Sequence, residues 1–80
     1  MKPSLIVDTR GLFCPMPVIK TSEAVKKIDP GSCVEVVSDD PAIESDLPAW
    51  CSSQGHTIRL VEKDKNGVFR FVVEKRSGSK

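Results

Sequence analysis

The sequence has 80 residues, which is enough for one small domain but not for a deep, enclosed active site. Its formal net charge is +1, from 12 Lys and Arg against 11 Asp and Glu, so it lacks the basic surface of a nucleic-acid-binding domain. The sequence has no apolar run of roughly 18 residues and no secretion signal at its start, so we expect a cytoplasmic protein with no membrane span.

The first third of the chain predicts a strand, a turn and a helix. Residues 5–7 form a short apolar run that is typical of a buried strand, and residues 9–13 turn the chain. From Pro15 to Ile28, apolar residues recur at helical spacing, which predicts an amphipathic helix with one face in the core. The Asp-Pro-Gly-Ser sequence at 29–32 ends this helix and turns the chain.

The middle third predicts a second strand and a second helix. Residues 33–37 form a short, β-branched run that is typical of a strand. Asp40 suits the N-cap of the helix that follows, Pro41 suits its first position, and Gly55 suits its end. The apolar face of this helix consists of Ile43, Leu47, Trp50 and Cys51. Pro48 lies inside the helical pattern, so we expect it to kink or split the helix.

The last third predicts a β-hairpin. Residues 57–63 and 68–74 are strand-like, and Asn66-Gly67 between them is a strong signal for a tight hairpin turn. Residues 76–80 are polar and contain Gly and Ser, so we expect a flexible C-terminal tail behind a single domain of residues 1–75. The element order is βαβαββ, in which two amphipathic helices cover a four-stranded sheet in two layers.

The sequence contains three cysteines, at positions 14, 33 and 51. Their odd number and their separations of 19 and 18 residues match neither a disulfide framework nor a zinc site. We therefore expect one reactive thiol and two structural cysteines, with no bound metal. Cys33 and Cys51 lie in apolar segments and are interpreted as core residues, with a resolving role for Cys51 as the alternative.

Cys14 stands between a strand and a helix start, in the run Cys14-Pro15-Met16-Pro17. The N-terminus of a helix carries partial positive charge and free N–H groups, which stabilise a thiolate. Pro15 suits the first helical position, Pro17 is tolerated in the first turn, and Gly11 permits a tight turn into the cysteine. We therefore predict a nucleophilic Cys14 with a pKa below the usual value of about 8.5. The alternative is a small buried residue at a helix start.

The charged residues near Cys14 leave two interpretations open. Arg10 could stabilise the thiolate by its charge, or it could pair with Asp8 and shape the loop, and both could hold together. Asp39 and Asp40 look like paired carboxylates, but their position just before the second helix favours a capping role.

His56 follows the residue that is predicted to end the second helix. Because no second ligand lies at metal-binding spacing, a structural role is favoured over a proton donor or a metal ligand. Trp50 is interpreted as a core residue, with contact to a partner as the alternative.

Four motifs together resemble the TusA/SirA-like sulfur-carrier family, over about residues 5–75. They are Asp8-x-Arg10-Gly11-x-x-Cys14-Pro15-x-Pro17, Asp39-Asp40-Pro41-Ala42, Asp46-x-Pro48-x-Trp50-Cys51 and Gly55-His56. The resemblance implies an α+β fold, a two-layer sandwich in which a four-stranded mixed sheet has both helices packed on one face. It also implies no metal and no organic cofactor. The residues that it implies for the site are Cys14 as the catalytic residue and Arg10, Gly11, Pro15 and Pro17 as supporting residues.

The same resemblance implies a sulfur carrier or sulfurtransferase, which accepts sulfane sulfur as a persulfide on Cys14 and passes it to an acceptor protein. The expected partners are a cysteine desulfurase or another persulfide donor protein, and a downstream sulfur-acceptor protein. Family members serve tRNA thiolation or sulfur metabolism, or accompany a membrane transporter, and the motifs do not distinguish these pathways. The alternative is a non-catalytic interaction module, a regulator or transporter accessory, in which Cys14 only shapes its loop.

Overall fold

A computed structural model describes residues 3–77, which form four strands and two helices in the predicted order. The elements are β1 (Leu5–Asp8), α1 (Met16–Val25), β2 (Cys33–Ser38), α2 (Ile43–Gln54), β3 (Thr57–Lys63) and β4 (Phe69–Glu74). The strands end within one residue of their predicted limits, because apolar runs and turn residues mark both ends of each strand in the sequence. Both helices begin later than predicted.

The strands form one mixed sheet in the order β1-β2-β4-β3. β1 runs parallel to β2, whereas β4 runs antiparallel to both β2 and β3. A parallel pair needs a crossover connection, and α1 supplies it between β1 and β2. Because β1 and β2 are parallel, they end at the same edge of the sheet, and the loops that follow them meet there.

The core lies between one face of this sheet and the two helices. On that face, Val36 of β2 lies opposite Phe71 of β4, and both are buried. The buried helix residues that pack against it are Ala24, Val25, Ile43, Leu47 and Cys51. The predicted fold, a four-stranded mixed sheet with both helices on one face, is confirmed.

Helix α1 is shorter at both ends than the predicted segment from Pro15 to Ile28. It begins at Met16, and Pro15 occupies the N-cap instead of the first helical position. At the other end, residues 26–28 form a tighter turn, in which the Ile28 N–H donates to the Val25 carbonyl at 3.4 Å. Ile28 is still buried, which is why the apolar pattern continues past the end of the helix.

Helix α2 continues through Pro48 and is not split by it. Proline removes one hydrogen bond, to the carbonyl of Glu44, and the helix keeps its other bonds on both sides. Leu47 and Cys51, on either side of this point, are buried against the sheet and hold the helix in place.

The start of α2 differs from the prediction, because its N-cap is Ala42, without a side-chain cap, and Asp40 instead holds the turn that precedes the helix. Asp40 Oδ1 accepts the N–H of Ala42 at 3.1 Å, and the Asp40 carbonyl accepts the N–H of Ile43 at 3.0 Å. A tight turn therefore precedes the first α-helical residue, which is Ile43 and not Pro41. At the other end, Gly55 has a φ of 81° and ends the helix as predicted.

The hairpin turn and the C-terminal segment are held by side-chain contacts. Asp64 Oδ1 accepts the N–H of Asn66 at 2.8 Å in the predicted turn between β3 and β4. Beyond β4, the N–H of Arg76 donates to His56 Nδ1 at 2.9 Å, which fixes the chain where the predicted tail begins. Residues 78–80 of that tail lie outside the described residues.

Candidate functional site

Cys14 lies at the edge of the sheet where β1 and β2 both end. It is carried by residues 9–15, here called the Cys14 loop, and its side chain is exposed. Thr9 at the root of the loop is fully buried, and its N–H and its hydroxyl both donate to the Val37 carbonyl at 2.7 Å. The loop is therefore anchored in β2, while its tip is open to solvent.

Two carboxylates from the segment after β2 bind the backbone of the Cys14 loop. Asp39 Oδ1 accepts the N–H of Gly11 at 3.1 Å, and Asp40 Oδ2 accepts the N–H of Cys14 at 2.8 Å. The other oxygen of Asp40 accepts the N–H of Ala42 in the turn before α2, so a single side chain joins Cys14 to the start of that helix. The sequence-based interpretation, capping alone, missed this contact. The sequence does contain a signal for this contact, which is the pair of acidic residues directly after β2, a strand that runs parallel to β1.

Arg10 pairs with Asp8, which favours the loop-shaping interpretation of its role. Arg10 Nε lies 2.9 Å from Asp8 Oδ1, and its Nη2 lies 2.7 Å from Asp8 Oδ2. This two-point contact lowers the pKa of the Asp8 carboxyl to about 2. The next residue, Gly11, has a φ of 83° and makes the tight turn that the sequence predicted.

The pKa of the Cys14 thiol is raised above its ordinary value, so the predicted lowering was wrong. The largest cause is a hydrogen bond with the Asp46 carboxylate, followed by desolvation and by the negative charges of Asp46 and Asp40. In the isolated protein, Cys14 is therefore mainly in its thiol form at neutral pH.

The residues at the start of α1 do not offset this effect, because the N–H groups of residues 14–17 are absent or already engaged. The two prolines of the Cys-Pro-Met-Pro run have no N–H, and the Cys14–Pro15 peptide bond is cis. The N–H of Cys14 donates to Asp40, and the N–H of Met16 donates to the Phe13 carbonyl at 2.8 Å. A helix N-terminus stabilises an anion chiefly through such donors, and residues 14–17 offer none to the sulfur.

Three large apolar side chains on the Cys14 loop and the first turns of α1 are exposed. They are Phe13, Met16 and Ile19, with 72%, 36% and 41% of their surface accessible. Exposed apolar residues that cluster at one place are typical of a binding surface. The sequence locates the loop, but this rim was not predicted from it, although apolar residues off the buried face of the helix were a signal for it.

His56 and Trp50 have structural positions away from the sulfur. The rings of His56 and Trp50 lie 5.1 Å apart, and His56 accepts the Arg76 N–H. Desolvation, followed by the nearby positive charges of Arg76 and Lys75, lowers the pKa of His56. His56 follows the C-terminal end of α2, whereas Cys14 is tied to its start, and a helix of 12 residues is about 18 Å long.

The other two cysteines are buried, as predicted. Cys33 is 4% exposed at the first residue of β2, at the opposite edge of the sheet from the Cys14 loop. Cys51 is a free thiol that is 2% exposed within the core, where burial raises its pKa to about 11. A core thiol of this kind does not suit the resolving role considered for Cys51.

Residues 3–77 contain neither a candidate metal centre nor a candidate membrane span. Nowhere in this range do three His, Cys, Asp or Glu side chains gather in a way that could hold a metal ion. Neither α1 nor α2 is long and apolar enough to span a membrane.

Similarity to known proteins agrees with this fold. The family "Sulfurtransferase TusA" matches residues 5–75. The chain is 35% identical to "Putative sulfur carrier protein YrkI" of Bacillus subtilis, covering 94% of this chain and 99% of that protein. It is 41% identical to a protein of Archaeoglobus fulgidus with the description "Putative sulfur carrier protein", covering 85% and 88% of the two chains. The crystal structure of a SirA-like protein from Desulfitobacterium hafniense superposes with a TM-score of 0.79 at 22% identity, over 90% of this chain and 97% of that one. The chain therefore belongs to the sulfurtransferase TusA family.

Proposed function

We propose that the protein is a sulfur carrier, which accepts sulfane sulfur as a persulfide on Cys14 and hands it to an acceptor protein. The observation that carries this proposal is an exposed cysteine on a loop that is held by four hydrogen bonds, three from its backbone N–H groups and one from the Thr9 hydroxyl. A sulfur relay needs a nucleophile that two different proteins can reach in turn, and a fixed, projecting loop meets that need. Membership of the TusA family supports the same chemistry.

The transfer is an exchange between sulfur atoms and needs no separate oxidant. The Cys14 thiolate attacks the outer sulfur of a donor persulfide and forms a new S–S bond. The S–S bond of the donor breaks at the same time, and the donor cysteine leaves as a thiolate. The proton released by Cys14 balances the proton that this leaving thiolate takes up. Delivery to the acceptor repeats the exchange, with Cys14 as the leaving group.

The partners are a persulfide donor protein, such as a cysteine desulfurase, and a downstream acceptor protein. Their docking site is the exposed rim of Phe13, Met16 and Ile19 around the sulfur, since burying these side chains would favour association. The relay belongs in the cytoplasm and serves tRNA thiolation or another branch of sulfur metabolism.

One observation favours the alternative, a non-catalytic interaction module. The pKa of Cys14 is raised, and a thiol is a poor nucleophile. In that function the apolar rim would bind a partner, while Cys14 would only shape its loop.

Sulfur loading distinguishes the two functions. The protein is incubated with glutathione persulfide or with a cysteine desulfurase and L-cysteine, and its intact mass is measured before and after reduction. A carrier gains about one sulfur atom, which reductant removes and peptide mapping assigns to Cys14. Cys14→Ser should gain none, while the matched control Cys51→Ala should load like the wild type. Failure of the wild type to gain sulfur from either donor would leave the interaction module as the function.

A further inference from the structure

A groove with a volume of about 350 Å³ runs along one edge of the sheet, between β1 and α1. Two of the apolar side chains in this groove are open to solvent, with 67% of Ile6 and 36% of Leu5 accessible. The residues that line it are Leu5, Ile6 and Val7 of β1, Lys20 and Ala24 of α1, and Lys27 of the turn that follows α1. The groove therefore has an apolar floor beside a basic wall.

The backbone of β1 is unpaired on the side of this groove. Within residues 3–77, β1 pairs with β2 alone, so half of its N–H and C=O groups face away from the sheet. Free edges are usually protected by bulges or by charged side chains. The register of β1 with β2 is regular, and its one charged side chain, Asp8, is bound by Arg10. At the opposite edge, β3 has an irregularity between Ile58 and Leu60. A further strand can therefore add to the sheet more readily at β1 than at β3.

The charge of the groove determines what kind of strand fits it. Lys20 and Lys27 are seven residues apart, or about 10 Å along the helix axis, which matches about three residues of an extended chain. Glu23 lies between them in the sequence and contacts Lys20 at 4.0 Å, whereas no acidic side chain among residues 3–77 pairs with Lys27. The excess of positive charge favours an acidic strand, and it disfavours a second copy of this edge, which would bring the same charge.

We propose that this groove docks an extended acidic segment of a partner protein, which adds to β1 as a fifth strand and places carboxylates beside Lys20 and Lys27. Side chains alternate between the two faces of a strand. On β1, Val7 packs against the core on the helix side, and Ile6 points to the other face of the sheet. The docked segment therefore alternates acidic residues on the helix side with apolar residues on the side of Ile6. Backbone hydrogen bonds supply affinity in this mode of binding, and the alternate side chains supply specificity.

The groove continues into the apolar rim around Cys14, because Lys20 directly follows Ile19 of that rim. A partner held in the groove keeps its own cysteine close to Cys14 at a high effective concentration. This role in sulfur transfer rests on the proposed function, whereas the docking itself does not.

The test titrates the isotope-labelled protein with a capped peptide of eight residues in which valine and glutamate alternate. Two-dimensional NMR spectra follow the backbone amides, and we expect the largest shifts in β1, with no comparable change in β3. Two control peptides should bind at least about tenfold more weakly. One has lysine in place of glutamate, which reverses the charge. The other has proline at two central positions, which removes the N–H groups that a fifth strand needs.

A pair of variants tests the role of the basic wall. Lys27→Glu reverses an exposed charge of the groove and should raise the Kd of the glutamate peptide by about threefold or more, because it replaces an ion pair with a repulsion. Lys65→Glu is the matched control, since Lys65 is equally exposed but lies in the turn between β3 and β4, and its Kd should stay at the wild-type value. The amide spectrum of each free variant checks its fold.

No shift at about 1 mM of the glutamate peptide, the weak end of the affinity scale, would overturn the proposal. Equal binding of the control peptides, shifts centred on β3, an equal loss in both variants, or dimerisation through β1 in sedimentation runs would do the same. Loading by glutathione persulfide is measured on the same preparation. If the peptide binds but the protein takes up no sulfur, the carrier function is wrong and the docking stands. If the protein takes up sulfur but binds no peptide, the docking alone is wrong.

Discussion

The double contact of Asp40 predicts a larger loss of stability than its place before a helix would suggest. Asp40→Ala removes the acceptor for the Cys14 N–H at 2.8 Å and the acceptor for the Ala42 N–H at 3.1 Å. The bond to Ala42 resembles an N-cap bond, whose loss costs about 1 kcal/mol, and the bond from Cys14 to a charged group contributes about 1.5 kcal/mol, at the lower end of its range, because the contact is exposed. We therefore expect Asp40→Ala to lower the free energy of unfolding by about 2–3 kcal/mol.

Asp39→Ala is the matched control, because Asp39 is the neighbouring acid and accepts a single bond, from Gly11 at 3.1 Å. Its loss should cost about 1.5 kcal/mol, by the same lower value for a bond to a charged group. The assay is urea unfolding followed by far-UV circular dichroism, with the slope of the transition checked for each variant. Asp40→Asn, which keeps one acceptor oxygen, should fall between the two. Equal losses in Asp40→Ala and Asp39→Ala would refute the idea that one carboxylate joins the Cys14 loop to α2.

Three further predictions concern single side chains. Arg10→Ala should load with sulfur from glutathione persulfide at close to the wild-type rate, since its guanidinium is bound by Asp8; a large loss would show that Arg10 acts on the sulfur after all. Gly55→Ala should lower the free energy of unfolding by about 1–2 kcal/mol in urea titrations, because Gly55 has a φ of 81° and a Cβ there would lie 2.9 Å from Arg76 Cδ; a neutral effect would contradict the strain. His56 has a lowered pKa in the folded state, so its contribution to stability is present above its unfolded pKa of about 6.5 and is lost as the pH falls below that value. Urea titrations from pH 8 to pH 5 should show that decline in the wild type, and a smaller one in His56→Asn.

The sequence was sufficient for the fold because its signals are local. Apolar runs, the Asn66-Gly67 turn and Gly55 mark the ends of elements within a few residues. The helix starts were placed less well, because Pro15 and Pro41 fit a first helical position but also fit the turn that precedes it.

The electrostatics of the site could not be predicted in the same way. The position of Cys14 before a helix predicted a lowered pKa, but the dominant group is Asp46, which belongs to another helix and lies far along the chain. The engagement of the Cys14 N–H by Asp40 is likewise a contact between distant segments. Such contacts are fixed by how the two loops meet at the sheet edge, which no local pattern encodes.

Docking of the Cys14 loop can be followed by hydrogen–deuterium exchange, because two of its amides are bonded to the carboxylates of Asp39 and Asp40. Backbone amides in an exposed loop usually exchange their hydrogens with solvent quickly, whereas those of Gly11 and Cys14 are bound to Asp39 and Asp40. Hydrogen–deuterium exchange at these two amides should therefore be slower than at other exposed loop positions. If a partner pulls the loop away from the carboxylates, exchange there will accelerate in the complex. If the loop docks as a rigid unit, exchange will slow further, and the two modes of recognition can be told apart without a label on the sulfur.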